Sequence, residues 1–213
     1  MRICLRCIAY LFAAVCISAS AASPEVEFFR AVNVDDDRTV KRLLVAGLDP
    51  NIASPQGLPG LVLAMRDDSP KVATALLAHP ATHIDATTTT DETALMMAAL
   101  RGRLEWVQRL AGKGAALSRP GWSPLHYACS GPDGVEVVRW LLDRGAAVDA
   151  RSPNGSTPLM MAARYGSHDA VDLLLQRGAN ARLRNDRDLS AADFARLGGR
   201  DRLAEQLGKL VTP

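Results

Sequence analysis

The sequence predicts an all-α solenoid of stacked helix-turn-helix units with short hairpin loops. Three observations predict this fold class. A nine-residue motif recurs along the chain, its copies are 30 to 34 residues apart, and the clearest copies are followed by an apolar helical run that ends in Gly-Ala. A repeat of this length cannot bury its apolar side alone, so successive units have to stack on one another.

The composition is that of a folded protein. Of the 213 residues, 48% are hydrophobic and 23% are charged, which excludes an intrinsically disordered chain. The net charge is only +2, from 25 Lys and Arg against 23 Asp and Glu. Binding to a phosphate backbone depends on an excess of positive charge, so this balance argues against a nucleic-acid partner.

The first 21 residues have the layout of a secretory signal peptide. Two arginines within the first six residues precede an apolar run over 8–17, and Ala19-Ser20-Ala21 supplies small residues for cleavage after Ala21. The apolar run is about half of the roughly 20 residues that a membrane-spanning helix needs. We therefore expect export, with the periplasm as the destination. Secretion and an uncleaved N-terminal anchor are the alternatives.

Removal of this segment would leave Cys129 as the one cysteine of the mature chain, residues 22–213. A single cysteine cannot close an internal disulfide, so stability has to come from packing. Cys129 stands where other copies of the motif have alanine, which predicts a small buried side chain. If Cys129 were exposed, it could instead link two chains.

Four copies of the motif occupy residues 57–65, 91–99, 121–129 and 155–163, with anchor leucines at Leu61, Leu95, Leu125 and Leu159. The third copy contains Ser-Pro-Leu-His-Tyr-Ala and the fourth Thr-Pro-Leu-Met-Met-Ala. This pattern resembles the ankyrin repeat, whose signature is T-P-L-H-x-A at a period of about 33 residues.

The resemblance implies six units. A degenerate N-terminal cap at 24–53 is followed by units at 54–87, 88–118, 119–151 and 152–184 and by a polar C-terminal cap at 185–210. The fourth unit lacks about three residues between Gly114 and Gly121, so we expect its hairpin to be truncated. Pro80 replaces the glycine that ends the other units, which predicts an irregularity there.

No catalytic motif emerges from the sequence. It has no phosphate-binding glycine loop, no G-x-S-x-G and no zinc-ligand spacing. The resemblance gives His126 a structural hydrogen-bonding role. The sequence therefore predicts neither an enzyme nor a cofactor, metal or small-molecule substrate.

The resemblance implies binding of a protein partner through the concave face, which hairpin tips and first helices form. The positions that it leaves free of packing are Trp122, Arg101, Arg164, Tyr165, Gln56, Arg66, Thr90, Glu92, Asn154 and Arg187. Trp122 is the expected centre, with Arg101, Arg164 and Tyr165 flanking it, because aromatic and arginine side chains dominate interface energies. In the alternative interpretation, Trp122 folds down over the truncated hairpin.

Two roles fit such a module: a scaffold or helper of a periplasmic enzyme, and an inhibitor or immunity-type protein. We expect a monomer without stable membrane insertion after cleavage. The alternatives are a self-associating structural protein and, much less favoured, an enzyme. The partner's identity does not follow from the sequence.

Overall fold

The computed structural model describes residues 23–211, so the predicted signal peptide lies outside the described residues. The described part contains twelve α-helices: α1 Pro24–Asn33, α2 Asp37–Val45, α3 Gly60–Arg66, α4 Pro70–Ala78, α5 Ala94–Leu100, α6 Leu104–Gly112, α7 Pro124–Ser130, α8 Val135–Asp143, α9 Pro158–Tyr165, α10 His168–Gln176, α11 Ala191–Leu197 and α12 Asp201–Lys209. Across 23–211, none of them has the length and apolarity to cross a membrane.

The helices form two layers. The odd-numbered first helices stack on one another from α1 to α11, and the even-numbered second helices from α2 to α10 pack behind them, with α12 packed on α11 at the end. Short hairpins project from the first-helix layer and are closed by isolated bridges in three places, Ala53–Pro59, Thr87–Thr93 and Arg184–Ser190. The predicted all-α solenoid is confirmed.

Local chemistry explains where the first helices start. In α9 the side chain of Thr157 accepts a hydrogen bond from the backbone N–H of Met160, and Pro158 occupies the first helical position. Ser123 and Pro124 stand at the same positions of α7. The first N–H groups of a helix have no internal partner, so a hydroxyl cap and a proline suit this site.

Left-handed glycines follow four of the second helices, as the sequence predicts. Gly47, Gly114, Gly145 and Gly178 have φ of 94°, 95°, 83° and 87°. The second unit ends without one. Its helix α4 gives way to extended backbone at His79, and the hydroxyl of Thr82 donates to the carbonyl of Leu76 over 2.6 Å. The irregularity expected from Pro80 is therefore present.

The core runs the length of the described chain between the two helix layers. The four anchor leucines, Leu61, Leu95, Leu125 and Leu159, are all buried. Alanines such as Ala98 and Ala163 lie fully buried between paired helices, where a small side chain lets the helices approach closely. Stability is thus distributed over neighbouring units rather than held in one central core.

Candidate protein-binding surface

The hairpins form a row that side chains fix in place from one unit to the next. Near the base of the hairpins, three side-chain oxygens each accept a hydrogen bond from a backbone N–H of the next unit: Asn51 from His83 at 2.7 Å, Asp85 from Ala116 at 3.1 Å and Asp149 from Asn180 at 3.0 Å. Sequence reasoning missed these links, although their acceptors share one register in the repeat. We call the projecting loops of 53–59, 87–93, 116–123, 150–157 and 184–190 the hairpin row.

The hairpin of the fourth unit differs from its neighbours. Within the described chain, residues 116–122 make no backbone–backbone hydrogen bond, whereas in the fifth unit the N–H of Ser152 donates to the carbonyl of Ser156 over 3.0 Å. The guanidinium of Arg119 instead reaches the preceding hairpin and donates to the carbonyl of Asp91 over 3.0 Å. The truncation expected from the spacing therefore leaves a loop that is tied to the preceding unit by Arg119 and by the hydrogen bond from Ala116 to Asp85.

Trp122 lies half-buried at this loop and rests on a fixed imidazole. Its ring meets His126 edge-on, with 5.4 Å between centroids and an interplanar angle of 82°. His126 Nε2 lies 3.1 Å from both carbonyls of Ala150 and Ser156, so Nε2 carries the proton. Nδ1 then accepts from the hydroxyl of Ser123 at 2.8 Å. Trp122 is thereby oriented while part of its ring stays open to solvent.

The imidazole of His126 is buried and structural. Burial lowers the pKa of His126 below its ordinary value, against the opposing effect of the two carbonyl hydrogen bonds. The side chain is therefore neutral at neutral pH, and its hydrogen bonds join the fourth and fifth units. The structural role that the resemblance implied for His126 is confirmed.

The ten candidate residues divide into two rows at opposite ends of the first helices. The hairpin row carries Gln56, Thr90, Glu92, Trp122, Asn154 and Arg187, and the helix-end row carries Arg66, Arg101, Arg164 and Tyr165. A first helix of seven or eight residues separates them by about 10 to 12 Å, at 1.5 Å per residue. The sequence predicts that Arg101, Arg164 and Tyr165 flank Trp122; the structure places them at the other end of the first helices, and their shared role in binding stays a prediction.

Two candidates in the hairpin row are engaged within the protein. The hydroxyls of Tyr127 and Thr90 each donate to the carboxylate of Glu92 over 2.9 Å. Burial, with a contribution from Glu92, raises the pKa of Tyr127, so its phenol stays protonated and donating. Sequence reasoning missed Tyr127, which lies 35 residues beyond Glu92 and reaches it only once the units stack.

The helix-end row presents a cationic and aromatic surface. The guanidinium of Arg101 donates to the carbonyl of Arg66 over 2.8 Å and lies 3.7 Å from the carboxylate of Asp68. Arg164 lies over the ring of Tyr165, 4.9 Å from its centroid, and half of Tyr165 is exposed. Tyrosine and arginine are among the side chains that contribute most to protein interfaces.

Cys129 is fully buried, and burial raises the pKa of its thiol. The thiolate, which is the reactive form, is therefore disfavoured, and the sulfur is not accessible to another chain. The structure thus opposes a cross-link through Cys129. Within 23–211 no group of three or more His, Cys, Asp or Glu side chains is placed to hold a metal ion.

Stacked helix pairs with a row of projecting hairpins define a solenoid repeat protein of the kind that presents an extended surface to a partner. The family model for ankyrin repeats in three copies matches residues 28–119 and 116–185. The chain therefore belongs to the ankyrin repeat family, whose repeats act as protein–protein interaction modules.

Curated relatives match over part of their length. The chain is 37% identical over 103 residues to a probable E3 ubiquitin-protein ligase, XBOS34, from Oryza sativa subsp. japonica, covering 46% of this chain and 20% of that protein. It is 33% identical over 165 residues to neurogenic locus notch homolog protein 1 of Mus musculus, covering 70% of this chain and 6% of that protein. The chain thus spans a fifth or less of either relative.

A solved structure shares the fold. The chain superposes with a TM-score of 0.70 and 22% identity on a chain from the structure of the Bd0816 predatory endopeptidase from Bdellovibrio bacteriovorus in complex with immunity protein Bd3460. The match covers 86% of this chain and 97% of that chain. At this identity the likeness shows a common architecture.

Proposed function

We propose that this protein is an exported, immunity-type inhibitor that binds a partner protein along its hairpin row. Export rests on the signal-like composition of residues 1–21. The inhibitor role is supported by the structural neighbour, which comes from a complex of an endopeptidase with an immunity protein. Because the structural match covers most of both chains, the analogy concerns the whole solenoid rather than one shared repeat.

The observation that carries the proposal is the packing of Trp122 on the buried imidazole of His126. Its side chain is partly exposed and rests on His126, whose imidazole is held by Ser123 and by the carbonyls of Ala150 and Ser156. An aromatic side chain that is already oriented loses little conformational entropy on binding. Trp122 therefore has the geometry of an interface anchor, with Arg119 on the same loop and Asn154 on the next one.

The reactive groups of the chain support binding rather than catalysis. His126 and Cys129 are both fully buried and belong to the packing between helices. Glu92, on the preceding hairpin, accepts hydrogen bonds from the hydroxyls of Tyr127 and Thr90. These groups hold the surface in shape, and the partner would meet mainly the exposed faces of Trp122 and its neighbours.

The test compares Trp122→Ala with the wild type and with Trp140→Ala as a matched control. Trp140 is also half-buried, but it lies on α8 beneath Arg144, away from the hairpin row. Each tagged chain is used to isolate partners from periplasmic extract, and affinity for the identified partner is then measured by calorimetry. We expect Trp122→Ala to weaken binding by about 30-fold, equivalent to about 2 kcal/mol.

Two further measurements are needed to interpret the binding data: the Tm of Trp122→Ala and the activity of the bound partner. Trp122→Ala should lower Tm by less than about 3 °C, as for a surface change of about 0.5 kcal/mol. The wild type should inhibit the partner's activity; a partner that stays fully active when bound would indicate a scaffold instead. Equal partner binding by Trp122→Ala and the wild type would refute the role of Trp122.

A further inference from the structure

The second helices end differently in the two halves of the solenoid. The last residues of α2, α4 and α6 are Val45, Ala78 and Gly112, and all three are exposed. The last residues of α8, α10 and α12 are Asp143, Gln176 and Lys209. Since these positions recur in register from unit to unit, the N-terminal half carries an apolar row where the C-terminal half carries a polar one.

Two cavities follow this apolar row and meet at Ala78. One of about 260 Å³ lies between α2 and α4 and is lined by Leu44, Val45 and Pro80. The other, of about 350 Å³, lies between α4 and α6 and is lined by Leu77 and Gly112. We call the two together the second-helix groove. Val45, which lines the first cavity, is 90% exposed, so this apolar side chain is almost fully accessible to water.

Cations line the edges of this groove. Lys41 lies on the α2 side, and Arg109 and Lys113 lie on the α6 side. Lys41 is paired with Asp37 at 2.5 Å, and Arg109 lies over the Trp106 ring at 4.0 Å. Among residues 23–211, no carboxylate lies within ion-pair distance of Lys113. One ammonium group at the groove is therefore available to a partner.

The C-terminal half has similar internal contacts. Arg177 pairs with Asp143 at 2.7 Å, and Arg144 lies over the Trp140 ring at 3.8 Å. The helices also differ in charge: α2, α4 and α6 carry five basic and two acidic residues, whereas α8, α10 and α12 carry three basic and six acidic residues. The groove thus lies in the basic half of the second-helix surface.

The fold does not require glycine at position 112. Its backbone is helical rather than left-handed, and a Cβ atom built there would meet nothing within 4 Å. Glycine inside a helix is destabilising relative to alanine. The missing side chain leaves the α6 end of the groove open, where an apolar side chain of a partner would have room.

We propose that the second-helix groove binds an acidic amphipathic helix of a second protein partner, independently of the hairpin row. The apolar lining would receive the leucine-type face of that helix, and its carboxylates would meet Lys113, with Lys41 and Arg109 adding positive charge at the edges of the groove. A helical partner is favoured because the groove crosses helix ends and offers no strand edge, so the bound segment has to satisfy its own backbone hydrogen bonds.

The test uses the intact chain and a labelled peptide of about 20 residues, long enough for about five helical turns. Leucine occupies its i, i+3, i+4 and i+7 positions, and glutamate the remainder. Comparison probes are a scrambled peptide, a leucine–lysine peptide of the same pattern, and phosphatidylglycerol vesicles. We expect the leucine–glutamate peptide alone to bind with chemical-shift changes at the groove, and its affinity to fall with salt.

Variants separate the groove from other surfaces. Lys113→Glu and Ala78→Glu, both at exposed helix ends, should each weaken peptide binding about tenfold, with circular dichroism showing unchanged helix content. Arg139→Glu, the matched reversal on α8, and Trp122→Ala should leave it unchanged. The proposal would be overturned if the leucine–glutamate and leucine–lysine peptides bound equally well, or if neither peptide bound. It would also be overturned if Arg139→Glu weakened peptide binding as much as Lys113→Glu. Vesicle binding lost in Lys113→Glu, without peptide binding, would assign the groove to lipid instead.

Discussion

The fourth and fifth units show which parts of a repeat can vary. Both begin a first helix at a hydroxyl residue followed by proline, and both bury their anchor leucine, Leu125 or Leu159. They differ in the hairpin: Ser156 is buried and hydrogen-bonded, while Trp122 at the equivalent position is partly exposed. The helices therefore maintain the stack, and the loop between them can shorten and change its chemistry without disturbing it.

The largest effects should come from what the two units share. Leu125→Ala and Leu159→Ala each remove a fully packed side chain and should each lower the free energy of unfolding by about 2–5 kcal/mol. Urea denaturation followed by circular dichroism measures both. If one variant lowered the free energy of unfolding several times more than the other, the two units would not contribute equally to the stack, which would contradict the comparison.

A smaller effect should come from the imidazole that joins the two units. Replacing His126 with methionine copies the fifth unit, where Met160 follows the anchor leucine. The variant removes the Nε2 donor from the carbonyls of Ala150 and Ser156, and the carbonyl of Ser156 keeps only the N–H of Ser152. We therefore expect the free energy of unfolding to fall by about 1–3 kcal/mol at pH 7.5.

The pH dependence identifies the cause of that loss. Burial lowers the pKa of His126 below 6.5 in the folded state, so the unfolded chain takes up its proton first as the pH falls. Stability therefore decreases below about pH 6.5, by at most about 1.4 kcal/mol per pH unit. His126→Met lacks this proton uptake, so the gap between variant and wild type should narrow at pH 5.5. Parallel stability profiles would show that His126 does not titrate as described.

The smallest expected change in stability comes from the hairpin of the fourth unit. Replacing residues 118–122 with residues 149–156 supplies the three missing positions and the closing hydrogen bonds of the fifth unit. We expect the free energy of unfolding to rise by about 1 kcal/mol, as for one or two added hydrogen bonds. Urea denaturation measures this change. A loss of similar size would mean that the short loop is the better packed of the two.

The fold was predictable because its signals are local and repeated. Thr157 and Pro158 identify a helix start from adjacent residues, and Gly178 identifies an end in the same way. Even the exception at Pro80 followed from the absence of one glycine. Periodicity then implied stacking, since each unit leaves an apolar side uncovered.

The surface was less predictable because it depends on distances between units. The hydrogen bond from Tyr127 to Glu92 spans 35 residues, and the link from Ala116 to Asp85 spans 31. Neither partner is identifiable from its own sequence neighbourhood. The separation of Trp122 from Tyr165 likewise follows from the length of a helix rather than from position in a motif.

Arg200 gives the C-terminal cap a part in completing the unit before it. One nitrogen of its guanidinium donates to the carbonyls of Ala162, Ala163 and Gly166, over 2.9, 3.0 and 2.9 Å, and so closes the end of α9. Without Arg200, these carbonyls would have to find their hydrogen-bond partners in water. A chain cleaved before Arg200 should therefore lose order in the fifth unit as well as in the C-terminal cap.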